Sequence, residues 1–555
     1  MKSGRRRHRV HASARASALA AAFAALSACG AAGTAQGAAS APAHTDPPSS
    51  VGCPSLAQPP GTRPNVLMIT ADDAAPNDLP YMPHTRHLLA ARGVTFSDAV
   101  APTPICVPAR ASLLTGQYAH NHKALTISGV GGGAASFDSH RTLPTWLHAA
   151  GYDTLFVGKY LNGYGDRSAS VLDPGWQQWL PGDRGSFRTR YLNGREDATH
   201  VEPGWTQWRP TSGGSTYNFM NPVLNINGRL HPYHRYNSGV ILDNSKQMLT
   251  NGQRARKPWF MWANYVAPHQ GGPTEPDDPR RLYPHDPAAW VKTTHPAPRD
   301  KETFIGIRLP HTPNMFRTLR SEPSDGAPMP ARKREMVRIG YQQRIEALQS
   351  VDRAVAHTVA TLRCTHQLAN TVIVFASDNG FLTGQHDRYG KLVQFDDSER
   401  IPMVMAGPGI PHGTTVRTAV TNPDLATTIA AIAHARPTRP QDGVDILPWL
   451  RRGYRDRIIP VEAYPVHGGD RPIYTGIREG EWTYVHWTRW GHSWEELYHR
   501  STDPFEMHNL ARDPRYRAQL LRFRRLDARY KDCAGNTCPK QFTRPSKLPL
   551  LYRPR

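Results

Sequence analysis

Carboxylate and amide side chains follow two apolar runs of this sequence, at the points where those runs end. Asp72 and Asp73 close the first run, and Asp378 and Asn379 close one much later in the chain. Their oxygens are the ligands that hard cations such as calcium and magnesium take. Adjacent carboxylates at a strand end repel each other, and a divalent ion would relieve that repulsion. These residues predict a site for one divalent cation, with calcium preferred, and the alternative is four solvated loop residues.

Two further apolar runs end in residues that carry or can accept positive charge. Lys159 follows the run at 154–157, and His269 follows an aromatic-rich run at 258–266. Ligands of parallel sheets lie outside the carboxyl ends of the strands. One such ending would be an ordinary loop charge, but four together indicate a functional site.

Cys106 has no evident disulfide partner, and its surroundings are typical of a helix start. Pro108 suits the first turn of a helix and Gly116 suits its end. Cys106 would then lie where the partial positive charge of a helix N-terminus favours anions, and Arg110 can point back to the same place. A buried structural thiol is the alternative. A cysteine-phosphatase loop is excluded, because it needs an arginine where this chain has Ser112.

The elements that must position these residues follow from an alternation of apolar strands with helical segments, one of them running from about Ile345 to Leu362. This order predicts an α/β fold with a large, mostly parallel sheet. The Pro- and Gly-rich stretch 165–335 is interpreted as excursions from this domain. The predicted strands lie at 66–70, 154–157, 258–266, 371–375 and 401–405.

The pattern changes near residue 455. Aromatic and polar residues alternate from Tyr474 to Trp490, which suits antiparallel strands with one face toward water. A basic helix is predicted from about 515 to 529. This part is interpreted as a smaller C-terminal α+β domain with an antiparallel sheet.

The N-terminus has the pattern of an export signal. Basic residues at 5–9 precede an apolar run at 16–28 that is too short to span a bilayer. The run leads into Cys29 as in a bacterial lipoprotein signal, so Cys29 is a candidate for lipidation. We interpret 1–28 as a signal peptide and 29–62 as a flexible tether. An exported protein is expected, either a cell-surface lipoprotein or a secreted protein.

The chain is basic even without this signal. Its 555 residues carry a net charge of +22, and removal of 1–28, with six basic and no acidic residues, leaves +16. Such a charge favours an anionic partner such as nucleic acid, a membrane surface or an acidic polysaccharide. Export and the lack of helix-turn-helix or zinc-finger spacing argue against nucleic acid.

The remaining cysteines suit an oxidising compartment. Cys533 and Cys538 flank a short polar loop and are predicted to form a disulfide. Cys53 and Cys364 could also pair, which the sequence leaves open. Cys106 is then the odd thiol.

The segment from Cys106 to Arg110, followed by Leu113 to Gly116, resembles the sulfatase signature, with Val107 where the stricter signature has a small residue. In that family the cysteine is oxidised to formylglycine, so the resemblance implies this modification of Cys106 by a formylglycine-generating enzyme. The resemblance spans about 63–513. Its other motifs are Pro64 to Asp73, Gly158-Lys159, Ala267-Pro268-His269, Ser377 to Gly380, Lys391, Glu496-Leu497-Tyr498, Asp503-Pro504 and Asn509-Leu510.

The resemblance implies an alkaline-phosphatase-like sandwich, with a catalytic domain at 63–450 and a C-terminal subdomain and tail at 451–555. A hydroxyl of the hydrated aldehyde would attack sulfur and release the sugar alcohol, and re-formation of the carbonyl would expel sulfate. Lys159, His269 and Lys391 would bind sulfate oxygens, or His269 would protonate the leaving oxygen. The implied catalytic residues are Cys106, Arg110, Lys159, His269 and Lys391, and the implied metal ligands are Asp72, Asp73, Cys106, Asp378 and Asn379.

Within the family, Gly158 to Gly165, His120-Asn121-His122 and Gly384-Gln385 resemble the N-acetylglucosamine-6-sulfatase group. Arylsulfatases place a histidine two positions after the lysine, where this chain has Leu161. The expected substrate is a sulfated carbohydrate, such as a glucosamine 6-sulfate unit of a glycosaminoglycan. The alternatives are an arylsulfatase, a phosphodiester or phosphonate hydrolase of the same superfamily, or a silent polyanion-binding protein. Candidates to replace the missing base and contact substrate are Asn162, His122 and His386.

Overall fold

The computed structural model describes residues 53–165, 198–318, 328–452, 455–489 and 491–543. The expected signal peptide, Cys29 and most of the expected tether lie outside these residues. From Cys53 onward the chain is held to the main body, because Cys53 forms a disulfide with Cys364 and the side chain of Leu56 is buried. Within the described ranges, no helix combines the length and apolarity needed to cross a bilayer.

Strands and helices alternate along the described residues. The strands are β1 (Asn65–Ala71), β2 (Gly93–Phe96), β3 (Ala99–Val100), β4 (Asp153–Gly158), β5 (Gln207–Pro210), β6 (Val223–Ile226), β7 (Arg229–Pro232), β8 (Trp259–Tyr265), β9 (Thr371–Ser377), β10 (Leu382–Thr383), β11 (Tyr389–Gly390), β12 (Met403–Ala406), β13 (Thr414–Val416), β14 (Val420–Thr421), β15 (Ile458–Ala463), β16 (Tyr474–Glu479), β17 (Trp482–Arg489) and β18 (His492–His499). The helices are α1 (Pro83–Leu88), α2 (Cys106–Thr115), α3 (Ala119–His122), α4 (Leu143–Ala149), α5 (Asn237–Leu249), α6 (Pro279–Leu282), α7 (Ala331–Cys364), α8 (Asp396–Glu399), α9 (Asn422–Ile432) and α10 (Arg517–Tyr530).

The main sheet has eight strands in the order β13-β2-β12-β9-β1-β8-β4-β5. The strands from β9 to β5 in this order are parallel, whereas β12 runs antiparallel to both of its neighbours. The expected α/β fold with a mostly parallel sheet is therefore confirmed. Strands β2, β5 and β13 were not predicted, because they are short and lack a long apolar run.

The register of the parallel strands brings the predicted site residues to one edge. Ala71 at the end of β1 lies opposite Tyr265 of β8 and Ser377 of β9. Gly158 at the end of β4 lies opposite Asn264 of β8. The residues that follow these four strands must therefore emerge side by side.

Both faces of the sheet are covered, which explains why its strands read as continuous apolar runs. On β1, Val66 and Met68 belong to a core shared with α2, α4 and α9. Leu67 and Ile69 point to the other face and join a core built with α5 and α7. The result is a three-layer arrangement of helices, sheet and helices.

The C-terminal part forms a separate antiparallel sheet of four strands in the order β15-β16-β17-β18. One face packs on α10 through Tyr484 and Phe523. The other face carries Val485 and Trp487, which share a core with Ile105, the residue that precedes α2. The predicted small α+β unit is confirmed, and it packs directly behind the start of α2.

Candidate active site

The four predicted oxygen ligands meet where β1 and β9 end, and all four are buried. The backbone N–H of Asp73 donates to Asp378 Oδ1 over 3.1 Å. Asn379 Nδ2 donates to Asp73 Oδ1 over 2.7 Å. Asp72 Oδ1 lies 3.6 Å from Cys106 Sγ, which joins the acidic group to the start of α2.

Three cationic side chains enclose these acids. Lys159 contacts Asp72, and Lys391 contacts Asp73 and lies 2.8 Å from Cys106 Sγ. Arg110 lies 3.9 Å from Asp72 and 3.7 Å from Asp378. All of the residues that the resemblance implied for the nucleophile and its cationic partners are therefore within one cluster.

The pKa values of two acids in this cluster, Asp72 and Asp378, are shifted in opposite directions. Burial alone would raise the pKa of Asp72, but Lys159, His269 and Arg110 lower it well below its usual range. At Asp378, burial and repulsion from Asp72 together raise the pKa well above the ordinary value. Asp378 Oδ2 is buried without a hydrogen-bond partner among the described residues. Arg110, 3.7 Å away, does not offset these two effects, and a bound cation would add the positive charge that the carboxylate needs.

The donor set fits a metal ion. Asp72, Asp73, Cys106 and His269 each offer a ligand atom, and these atoms lie within 4.8 Å of one another. Asp378 adds a carboxylate oxygen, Oδ2, that has no hydrogen bond among the described residues. Asn379 lies beside them, with its Oδ1 3.3 Å from Lys391 Nζ. His269 was expected as a sulfate ligand or as the acid for the leaving oxygen, and the structure also brings it into the metal-binding group.

Helix α2 holds Cys106 and Arg110 in fixed relation. It begins at Cys106 and ends at Thr115, and the next residue, Gly116, adopts the left-handed conformation with φ 67°. Arg110 Nε donates to the Cys106 carbonyl at 3.0 Å, and its Nη1 donates to the Tyr160 carbonyl at 2.8 Å. The guanidinium is thus locked between α2 and the segment that follows β4.

His269 is held with one nitrogen toward the site. Its Nδ1 lies 2.8 Å from the Gln270 carbonyl, which can only accept, so Nδ1 carries the proton. Nε2 then faces Asp73 Oδ2 at 3.8 Å. Burial, together with Lys159, lowers the pKa of His269 to about 4, so the imidazole is neutral near pH 7.

The three candidates for the missing base separate in the structure. Asn162 lies at the site, where its Oδ1 accepts from Arg110 at 3.1 Å. His122 lies behind α2 and is bonded to Ser112 and to the Pro108 carbonyl. His386 stacks on Phe395 at 3.6 Å and faces Asn314. Both histidines are buried by packing rather than turned toward Cys106.

Two residues of the site were not predicted from the sequence. Arg344 of α7 donates to the Asp73 carbonyl at 2.6 Å and so supports a residue held in the left-handed conformation with φ 70°. Tyr217 stacks on His269 with ring centres 4.9 Å apart. Neither has a local signal, since Arg344 sits in a long amphipathic helix and Tyr217 in the Pro- and Gly-rich stretch.

The four described cysteines away from the site are paired. Cys533 forms a disulfide with Cys538, and Cys53 forms one with Cys364. Among the described cysteines, Cys106 is the free one, and it is buried.

The chain is similar to known proteins of the sulfatase family. A model of the sulfatase family matches residues 64–435, and a model described as N-sulphoglucosamine sulphohydrolase, C-terminal, matches 384–529. The chain is 31% identical over 411 residues to the extracellular sulfatase SULF-1 homolog of Drosophila melanogaster, covering 71% of this chain and 32% of that protein. It is 30% identical over 408 residues to human N-acetylglucosamine-6-sulfatase, covering 70% of this chain and 64% of the relative. The chain thus matches between about a third and two thirds of these relatives' lengths.

Solved structures share the fold. BT4656, solved in complex with its substrate D-glucosamine-2-N,6-O-disulfate, aligns with a TM-score of 0.64 at 19% identity, covering 84% of this chain and 97% of that chain. At this identity the likeness establishes a common architecture.

Proposed function

The chain belongs to the sulfatase family, and we propose that it hydrolyses the sulfate esters of sulfated carbohydrates, with the 6-sulfate of glucosamine units as its substrate. The observation that carries this proposal is the convergence of Lys159, Lys391 and His269 on the free thiol of Cys106, whose backbone carbonyl accepts from Arg110. Such a cluster suits an anionic ester held in front of a nucleophile. The names of the relatives support the choice of carbohydrate.

The nucleophile is proposed to be formylglycine made from Cys106. Its support is the sulfatase membership, the position at the start of α2 and the pairing of the other described cysteines. The hydrated aldehyde would supply a hydroxyl that attacks sulfur. A formylglycine-generating enzyme is then the partner that matures the chain.

One divalent cation, calcium above all, is proposed to bind Asp72, Asp73, Asp378 and Asn379 beside position 106. The mostly oxygen ligands favour a hard ion. When bound, the ion would polarise the nucleophile and neutralise the acids. The buried Oδ2 of Asp378, which has no hydrogen bond among the described residues, supports this assignment.

The chain's own cations are proposed to bind the sulfate group. Lys159 and Lys391 both keep their charge, because their acidic neighbours outweigh burial and raise the pKa of each ammonium group. They would hold sulfate oxygens and stabilise the negative charge that develops in the reaction. His269 directs Nε2 to the same place, and once protonated there it would bind a sulfate oxygen or give its proton to the leaving oxygen.

Position 161 takes no part in this scheme. Leu161 is 3% exposed and belongs to the apolar core on one face of the main sheet. Asn162, the next residue, is the one that reaches Arg110. The proposed site therefore lacks the histidine base of arylsulfatases, which favours a carbohydrate over an aryl substrate.

The protein is proposed to act outside the cytoplasm, anchored through Cys29 or secreted. Extracellular relatives and the N-terminal pattern support this location. The net charge that remains after removal of the signal would concentrate a polyanionic substrate near the surface.

The test compares release of sulfate from glucosamine-6-sulfate oligosaccharides with hydrolysis of 4-nitrophenyl sulfate and of a phosphonate monoester, at low and high salt. We expect the oligosaccharide to give the highest kcat/KM, with KM rising as salt screens the basic surface. Cys106→Ala should abolish turnover of every substrate. Efficient aryl sulfate or phosphonate turnover without oligosaccharide activity would refute the proposed substrate, and binding of the oligosaccharide with no turnover would indicate a silent polyanion-binding protein.

A further inference from the structure

Tyr217 is fixed against the loop that carries His269. It ends a short 3-10 helix, Gly213–Tyr217, that follows β5. The backbone N–H of Gly272 donates to the Tyr217 carbonyl at 2.9 Å, and the N–H of Phe219 donates to the Gly272 carbonyl at 2.8 Å. These two hydrogen bonds tie the segments together, so the backbone sets the position of Tyr217 relative to His269.

The ring of Tyr217 touches two of the groups proposed to bind sulfate. It stacks on the imidazole of His269 at 4.9 Å with an angle of 30° between the planes. Lys159 Nζ lies 4.8 Å from the ring centre, in cation–π contact. One aromatic side chain thus limits the rotation of His269 and holds the ammonium of Lys159.

The hydroxyl of Tyr217 is oriented by a chain of hydrogen bonds that begins at Arg110. A guanidinium only donates, so Asn162 turns its Oδ1 to Arg110, with 3.1 Å between the atoms. The Nδ2 of Asn162 must then face Tyr217, and it donates to the hydroxyl oxygen over 2.9 Å. The hydroxyl accepts from Asn162 and keeps its own proton to give. Among the described residues, no protein group accepts that proton.

We propose that Tyr217 is a substrate-binding residue whose hydroxyl donates a hydrogen bond to an oxygen of the sulfate ester, while its ring positions His269 and Lys159. This inference rests on the proposed function. It assigns the Asn162–Tyr217 pair to substrate binding beside Lys159. The residue two positions after this lysine, Leu161, is buried. The pair supplies a neutral hydrogen-bond donor to the sulfate group, alongside the cationic donors Lys159 and Lys391.

The experiment separates the hydroxyl from the ring. Tyr217→Phe removes only the donor, and we expect kcat/KM on a glucosamine-6-sulfate oligosaccharide to fall roughly 3- to 10-fold, the usual effect of one neutral hydrogen bond. The inhibition constant of inorganic sulfate should rise by the same factor. Tyr217→Leu also removes the ring, and misplacement of His269 and Lys159 should lower kcat on the order of 100-fold. Tyr233→Phe is the matched control, because its hydroxyl meets Asn244, outside the site.

A second variant tests the pair without altering the tyrosine. Asn162→Leu removes the donor that orients the hydroxyl, and the double variant with Tyr217→Phe should lose less than the sum of the two single losses. Strict additivity would overturn the inference. So would a Tyr217→Phe enzyme that matches Tyr233→Phe in both kcat/KM and sulfate inhibition.

Failure of the proposed function would look different. A wild-type enzyme that hydrolyses no sulfate ester would refute the function, whereas sulfate binding to Cys106→Ser measured by calorimetry would still report on Tyr217. The double variant Cys106→Ser/Tyr217→Phe should bind sulfate more weakly than Cys106→Ser does. Equal binding by the two proteins would overturn the inference. Melting temperatures of all variants check that the fold is intact.

Discussion

Position 106 is surrounded by groups that stabilise negative charge at the end of its side chain. Lys391 Nζ lies 2.8 Å from Sγ and Lys159 Nζ lies 4.0 Å from it. The residue also begins α2, where backbone N–H groups lack helical partners. This environment suits a nucleophilic oxygen at position 106, which an unmodified cysteine does not provide.

We therefore expect Cys106 to be converted to formylglycine in a host that contains the modifying enzyme. Mass spectrometry of the tryptic peptide should show the aldehyde in active protein. Protein from a host without the enzyme should retain the thiol and be inactive. Full activity with only the unmodified thiol would contradict this prediction.

The buried carboxylate of Asp378, whose Oδ2 has no hydrogen bond among the described residues, leads to a prediction about metal binding. Asp378→Asn keeps the shape and the Oδ1 acceptor that holds the N–H of Asp73 and Asn379, but it removes the charge that a cation would balance. Elemental analysis should find one bound divalent ion in the wild type and at least tenfold weaker binding in the variant, with activity lost in parallel. Asp445→Asn changes a carboxylate outside the site and should leave metal content unchanged. Metal-free wild-type enzyme with full activity would refute the assignment.

At the scale of elements, an ion pair joins α3 to β15. His120 Nδ1 lies 3.0 Å from Glu462 Oε1, and its Nε2 lies 2.7 Å from the Cys533 carbonyl. Both partners can only accept, so both ring nitrogens carry protons and His120 is an imidazolium. Burial opposes this charge, but Glu462 outweighs it and raises the pKa of His120 to about 9.

This pair predicts a pH dependence of stability. A pKa raised from its usual value near 6.5 stabilises the folded state fully below about pH 6.5, and this contribution is lost as the pH rises through 9. The wild type should thus lose roughly 2–3 kcal/mol of unfolding free energy over that window. His120→Gln should be less stable at pH 6 and show a flatter profile, measured by urea unfolding. His148→Gln in α4 is the control, and an equal slope in both variants would contradict the prediction.

At the scale of the whole molecule, two disulfides close loops of very different length. Cys53 and Cys364 are 311 residues apart, whereas Cys533 and Cys538 are 5 apart. The first links the start of the described chain to the end of α7. The second closes only a local loop near Tyr118.

Loop length predicts unequal effects on stability. The entropy of loop closure gives about 6 kcal/mol for the long loop and about 2 kcal/mol for the short one. The double variant C53S/C364S should therefore lower the melting temperature clearly more than C533S/C538S does. Equal decreases of the melting temperature in calorimetry would show that loop-closure entropy does not set the contribution of the long disulfide. Activity at 25 °C should survive in both variants, since neither link touches Cys106.

The site shows which features depend on the local sequence alone. Asp72, Lys159, His269 and Asp378 each follow an apolar strand, and parallel strands in register must bring their carboxyl ends together. Pro108, Arg110 and Gly116 mark a helix that begins at Cys106. These signals lie within a few residues of the groups they predict, so the α/β fold, the acidic cluster, Lys159, His269 and Arg110 could be predicted. Lys391 has no such local signal and was implied by the family resemblance alone.

Other features arise only from contacts between distant segments. Arg344 is 271 residues from the Asp73 carbonyl it holds, and Tyr217 meets Asn162 across 55 residues. Tertiary packing also turns His122 and His386 into buried positions while it directs Asn162 to Arg110. The sequence by itself determined which residues leave the strand ends, because strand periodicity is local. Only the tertiary structure decided which polar side chains face Cys106, because that depends on how the connecting segments fold back over the sheet.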